Sequence, residues 1–313
     1  MSKILLTGSS GFVGQALARR LVAEGHHLRL PVRSELLWQS ENAETFHFEG
    51  LETPMNWMDA LGGVRTVIHC ACRPYFENDP AADPQAEYRR CNVDGTVRLA
   101  SQAARSGVRR FVFVSTAEVC GTRSRPGYPF SVESAPAPAS LFAVSKLEAE
   151  RALSSLTASS RMEIVIVRPA PVYGPGVTGD FLVLMRWLDH GKALPLLEDD
   201  CFRSRVSRSN LVDLLTCCVS HPAAGGHILY VSDGEDLTGA DFVRRLGDAL
   251  GKPAKLSRKP LWMSFRGKRA FIERLKTPMQ VDIEHTRRLL SWTPPYEIDD
   301  TLAQTVAYFR RHM

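Results

Sequence analysis

Gly8, Gly11 and Gly14 recur at three-residue intervals in TGSSGFVG, directly after the apolar run KILL and at the start of an amphipathic stretch. A strand that turns on glycines into a helix leaves backbone N–H groups and the positive end of the helix dipole facing outward, an arrangement that receives phosphate. Gly8 is expected to make the tight turn, Gly11 to let a pyrophosphate approach the backbone, and Gly14 to let helix and strand pack closely. Thr7, Gly8, Ser10, Gly11, Phe12, Val13 and Gly14 are therefore the expected holders of a dinucleotide. The next apolar run ends LPVRS, placing Arg33 where a carboxylate would hold ribose hydroxyls. A guanidinium there suits a 2′-phosphate, so NADP(H) is favoured, with NAD(H) as the alternative. A solvated arginine at a strand end is the plainer reading of the same residue.

The glycine loop needs a framework, and the chain supplies a regular one. KILLTG reads as a buried strand, GFVGQALARRLVAEG as a helix with Phe12, Val13, Leu17 and Leu21 inward, and HHLRLPVR as a second strand. TVIHCAC, RRFVFVST and EIVIVRPA are further strands, separated by helical patterns over roughly 85–106 and 141–157. Strand–helix repetition of this kind predicts an α/β fold with a doubly wound parallel sheet of Rossmann type. After Pro169 the pattern loosens: PAPVYGPGVTGD reads as loop, then come short helices, one of them near 209–220, and the strand HILYVSD. The expected division is a dinucleotide-binding domain over 1–173 and 207–234, and a smaller C-terminal α/β substrate lobe over 174–206 and 235–313.

Composition narrows the partners. At 313 residues, 44% hydrophobic and 23% charged, the chain has the makeup of an ordinary globular protein. No apolar run approaches the ~20 residues of a membrane span, and the N-terminus has too short an apolar run for a signal peptide. A cytoplasmic location is expected, with no membrane association. Net charge is +5 without a lysine or arginine block or basic–aromatic interleaving, which argues against nucleic acid. Seven cysteines, without a CxxC pair and mostly within apolar runs, read as buried reduced thiols. His69 and the pair His26–His27 lack partners at ligand spacing, so no metal is expected.

With the glycine loop followed in order by VIHCAC, CNVDGT, FVFVST, SK and VRPAPVYGPG, the chain resembles the extended short-chain dehydrogenase/reductase family of nucleotide-sugar epimerases, dehydratases and 4-reductases. The resemblance reaches LSWTPPYEIDDTL near the end and so covers nearly the whole chain. It implies a small-molecule nucleotide-sugar substrate and a homodimer. Its finer form points to NADP(H)-dependent reduction at C4 of a UDP-linked 4-keto-6-deoxy or N-acetylated sugar for surface polysaccharide, including O-antigen, with 4-epimerisation or binding without turnover as alternatives.

Carried over by position, the family's Ser/Thr falls on Thr116, its Tyr on Phe142 and its Lys on Lys146. The resemblance implies that Thr116 hydrogen-bonds the reacting oxygen, that Lys146 holds the nicotinamide ribose, and that Cys70, Ala71 and Pro169 lie along the cofactor. It places Thr116, Glu118, Phe142 and Arg203 on the substrate, with Arg203 at the diphosphate. Arg205 and Arg208, in the same basic segment, are candidates to extend that anion site. The sequence also departs from the family. Phe142 replaces the Tyr, Ala117 stands in STAEVCG where dehydratases carry an Asp, and FEGLE lacks the Asp usually near the adenine. The second departure argues against a 4,6-dehydratase.

Phe142 and Lys146 are four apart on a predicted helix and should share one face of the cleft. Phenylalanine keeps the shape of tyrosine and has no proton to exchange. Losing a positioned acid typically costs ~10²–10⁴ in rate, while binding survives. Three explanations fit: an engineered Tyr→Phe substitution, a natural Phe142 with Thr116, Glu118 or a water moving the proton, or a fold kept for binding alone.

Overall fold

A computed structural model describes residues 2–34, 38–77, 79–157, 160–195, 201–257 and 269–312. Seven strands form its central sheet: β1 (Lys3–Thr7), β2 (His27–Val32), β3 (Ala43–His47), β4 (Thr66–His69), β5 (Arg110–Val114), β6 (Glu163–Pro169) and β7 (Ile228–Val231). Their spatial order is β7-β6-β5-β4-β1-β2-β3 and every pairing is parallel. Four neighbouring strands, β1, β4, β5 and β6, are buried along nearly their whole length, as expected of a sheet covered on both faces. The doubly wound parallel fold read from the sequence is present. β3 was missing from that reading, because AETFH is an edge strand with mostly exposed side chains and shows neither an apolar run nor strong alternation.

The chain runs outward from β1 through β2 to β3, then returns to β4 on the other side of β1. That reversal opens a crevice at the carboxyl ends of β1 and β4, where such sheets bind ligands. The glycine loop follows β1, Cys70 and Ala71 follow β4, and Thr116 lies two residues beyond β5.

Two helices matter most for the site. Phe12–Ala23 buries Gly14, Leu17, Ala18 and Leu21. Phe12 and Val13 are only half-buried, so the inner face is turned slightly from the one expected. Leu141–Thr157 has the bounds its pattern predicts and is started by Ser140, whose Oγ accepts the Ala143 N–H at 3.1 Å. The expected helix over the 85–106 region contains a wider π turn, Arg89–Asp94, between Pro84–Tyr88 and Gly95–Arg105.

Buried apolar side chains gather in three clusters, two against the sheet and one built from residues 173–309 around Tyr173, Leu184, Phe242, Leu246 and Leu302. At the third cluster's edge the expected loop PAPVYG contributes a short strand, Val172–Tyr173, parallel to Val206–Ser207. Among the described residues no helix is long and apolar enough to cross a membrane. No disulfide forms among the described residues, and of the seven cysteines Cys120 and Cys218 are buried while the other five are half-buried.

Candidate functional site

The glycine loop is packed to a tolerance that excludes other residues at two positions. Gly8 has φ +74°, and a Cβ there would lie 2.7 Å from the Ala71 nitrogen. A Cβ on Gly14 would lie 2.0 Å from the Gly8 oxygen, far inside van der Waals contact. The Gly11 N–H is donated to the Gly8 oxygen at 2.9 Å, which sets the turn ahead of Phe12. Thr7 Oγ1 accepts the Ala71 N–H at 3.3 Å and pairs with His69 Nδ1 at 2.7 Å, and His69 Nε2 meets Thr96 Oγ1 at 2.9 Å. Burial, with the nearby Lys146 charge, pushes the His69 imidazole down to about 3, so it is a neutral brace between two hydroxyls. Ser10 is exposed at the tip of the loop, and Arg33 is exposed just past β2.

On the other wall, Phe142 and Lys146 diverge. Phe142 lines a cavity of about 800 Å³, together with Thr116 and Glu118. Lys146 is fully buried and not among the side chains lining that cavity, and its Nζ rests 4.1 Å from the centre of the Phe113 ring. The expectation that both face one cleft therefore holds for Phe142 alone. Burial lowers the Lys146 pKa, with Cys72 and Glu150 offsetting part of the effect.

Two polar sets anchor this helix. The Asn92 amide donates to Ser145 Oγ at 3.0 Å and to the Arg73 carbonyl at 3.2 Å, and its oxygen accepts the Arg73 N–H at 2.7 Å. One turn beyond Lys146, Glu150 takes two bonds from Arg168, at 2.6 and 3.1 Å, and one from Ser115 Oγ. Arg168 also donates to Tyr230 OH at 2.9 Å. The strand neighbour of Thr116 and the helix carrying Phe142 are thereby bolted together. None of Asn92, Glu150 or Arg168 was singled out from the sequence. Asn92 stands in the motif CNVDGT, but its partners are 19 and 53 positions away.

The cavity extends from Thr116 and Phe142 to an apolar floor of Val177, Phe181, Leu184 and Phe242. Arg203 and Arg205 both line it and both are buried. Among the described residues, the Arg203 side chain donates to the Thr277 carbonyl, at 3.1 Å. Arg205 lies 3.9 Å over the Phe242 ring and donates to the Arg203 carbonyl at 3.3 Å, while its Nη2 is buried without a partner. Neither forms a salt bridge among the described residues. Burial, then the neighbouring Arg203 charge, pushes the Arg205 guanidinium down to about 9. Arg274, unrecognised in the sequence, is paired with Asp180 at 2.6 Å and stands 3.9 Å from Glu77, linking three segments around the cavity. Arg208 is placed elsewhere: its guanidinium lies 5.2 Å over the Phe12 ring at the glycine loop. Pro169 closes β6, and it is Pro171, two residues on, that reaches the cavity.

A crevice with a glycine loop opening a helix on one side, and on the other a cavity carrying a threonine and buried arginines, is the layout of a dinucleotide-dependent enzyme. The model of the NAD-dependent epimerase/dehydratase family matches residues 4–231, and the chain belongs to that family. It is 39% identical over 313 residues to a UDP-glucose 4-epimerase of Vibrio cholerae, covering 98% of this chain and 95% of the relative. A UDP-glucose 4-epimerase of Mycolicibacterium smegmatis is 27% identical over 326 residues, with 98% of each chain covered. Among solved structures, UDP-glucuronic acid 4-epimerase from Bacillus cereus, in complex with NAD, superposes with a TM-score of 0.81 at 20% identity, covering 99% of this chain and 97% of that one. That likeness is one of fold.

Proposed function

We propose that the chain oxidises and reduces C4 of a UDP-linked hexose with a nicotinamide dinucleotide, and that its net reaction is 4-epimerisation. The observation that carries this reading is the pair Arg203 and Arg205, two buried guanidinium groups that form no salt bridge among the described residues, in the same cavity as Thr116 and Phe142. Burying an unpaired charge is costly, and a diphosphate supplies the missing countercharge to both. The identity to the Vibrio cholerae relative favours the epimerase outcome over the other reactions at C4.

The residues fit a dinucleotide, because the approach of Gly8, Gly14 and Ala71 leaves a flat backbone surface at the start of a helix. Thr7 through Gly14 would hold the pyrophosphate, Cys70 and Ala71 would flank it, Pro169 would lie at the far end of the cofactor, and Lys146 would hold the nicotinamide ribose. Bound there, the nicotinamide supplies hydride acceptance and return. Thr116 Oγ1 accepts the Glu118 N–H at 3.2 Å, which leaves its own hydroxyl hydrogen to point at the sugar's 4-oxygen. Arg203 and Arg205 would fix the diphosphate, and Phe142 would pack against the sugar as an apolar wall. With lobes divided at 173, 206 and 234, these contributions would come from two sides of one crevice.

The first experiment is to incubate the chain with NAD or NADP and UDP-glucose and to follow UDP-galactose by NMR. Interconversion supports the reading. Its absence in this chain and in Phe142→Tyr alike sinks it. Arg33 supports a second reading, 4-reduction with an exchangeable NADPH during surface polysaccharide synthesis. Net consumption of NADPH with a UDP-4-keto sugar would favour that reaction, and the Arg33→Gln variant should then lose about tenfold in NADP affinity while NAD affinity holds.

A further inference from the structure

We propose that Glu118 exchanges the proton of the sugar's 4-oxygen in this chain, in the role that the side chain at position 142 cannot fill. The inference rests on the proposed C4 chemistry.

Glu118 is the second residue of the short 3-10 turn Ala117–Cys120, capped by Thr116, so the hydroxyl proposed to polarise the 4-oxygen and the carboxyl stand two positions apart on one turn. Its side chain lines the cavity beside Phe142 and is in no hydrogen bond or ion pair among the described residues. Among the described residues, the other carboxyl and phenol groups of the cavity are committed or remote. Tyr173 OH is bonded to Asp233 at 2.8 Å and to Thr301 at 2.7 Å, Asp180 holds Arg274, and Glu77 stands beside that same arginine. Tyr75 is 48% exposed at the rim. Burial raises the Glu118 pKa, against the pull of Arg203 and Arg274. A substrate diphosphate would neutralise part of that pull, so the carboxyl would hold its proton better with substrate bound than without.

The proton balance closes without another reactant. When C4 is oxidised, the hydroxyl O–H bond breaks and its proton passes to the Glu118 carboxylate, the hydride having gone to the nicotinamide. When C4 is reduced, the same proton returns from the carboxylic acid to the 4-oxygen.

The test is a cycle of four proteins: the chain as it stands, Glu118→Gln, Phe142→Tyr and the double variant. Each is assayed with UDP-glucose and NAD, with UDP affinity and thermal midpoint as controls for folding. The expected result is a loss of about 10²-fold or more for Glu118→Gln in the Phe142 background, and less than about tenfold in the Phe142→Tyr background, where a phenol takes over. UDP affinity should be unchanged in both. The Phe142 chain should also lose its reductive rate as pH rises through the Glu118 pKa, and that limb should disappear with Glu118→Gln. Equal losses in the two backgrounds would make Glu118 a positioning residue and overturn the proposal. So would an unaffected Glu118→Gln paired with an inactive Tyr75→Phe. An inert parent with an active Phe142→Tyr would overturn Glu118 alone, while inertness of both would take the C4 reading down with it.

Discussion

The protein buries arginines in two ways, and the contrast separates framework from site. Arg168 is held by both oxygens of Glu150 and by Tyr230, so its charge is matched and its donors are used. Arg203 and Arg205 are as deeply placed, yet they rest on backbone carbonyls and an aromatic face, and one Arg205 nitrogen is left over. A matched buried charge stabilises only when intact, whereas an unmatched one is a standing cost that a ligand can relieve. The first set builds the corner that Thr116 and Phe142 share. On the proposed function, the second would receive the substrate diphosphate.

The contrast is broken most forcefully at Glu150. Glu150→Ala strands the Arg168 charge and should cost about 3–5 kcal/mol of stability, read by denaturant unfolding, and UDP should not restore it. At the other set the currency changes. Arg203→Ala should leave the unfolding midpoint nearly untouched while raising the dissociation constant for UDP-sugar about 10–100-fold by calorimetry, the worth of a charge-assisted hydrogen bond. An Arg203 variant as unstable as Glu150→Ala would erase the distinction.

Arg205 sharpens the contrast through pH. Its folded pKa is lowered from the ordinary arginine range to about 9, so between the two the unfolded chain binds more protons and stability rises with pH; below about 9 the cost is present in full. Arg205→Met should therefore be more stable than the parent at neutral pH, and that advantage should shrink as pH climbs past 9. The smallest effect is the counterpart with ligand. Saturating UDP should raise the parent's thermal midpoint by a few degrees and the Arg205→Met midpoint by less, since one stabilising contact is gone.

How much of this was legible in the sequence follows from the range of the interactions. The glycine loop, the helix Leu141–Thr157 and every strand of the central sheet except β3 rest on local spacing, and each of these was readable. Thr116, Glu118, Phe142, Arg203 and Arg205 were singled out separately, and the fold brings all five to one cavity. What eluded the sequence depends on partners far apart in the chain. The Asp180–Arg274 pair spans 94 positions, and the Asn92–Ser145 bond spans 53. Helical periodicity fixes which side Lys146 faces, and not how far its side chain sinks between that helix and the neighbouring Phe113.

Asn92 carries one last consequence. It takes the Arg73 N–H into a bond with a side chain, in a stretch that belongs to no strand or helix, and the same amide grips the helix bearing Phe142. The deuterium uptake of that single amide is thus a clock for the parting of the two walls. It would tick more slowly whenever a substrate holds them together, and it can be timed with no turnover at all.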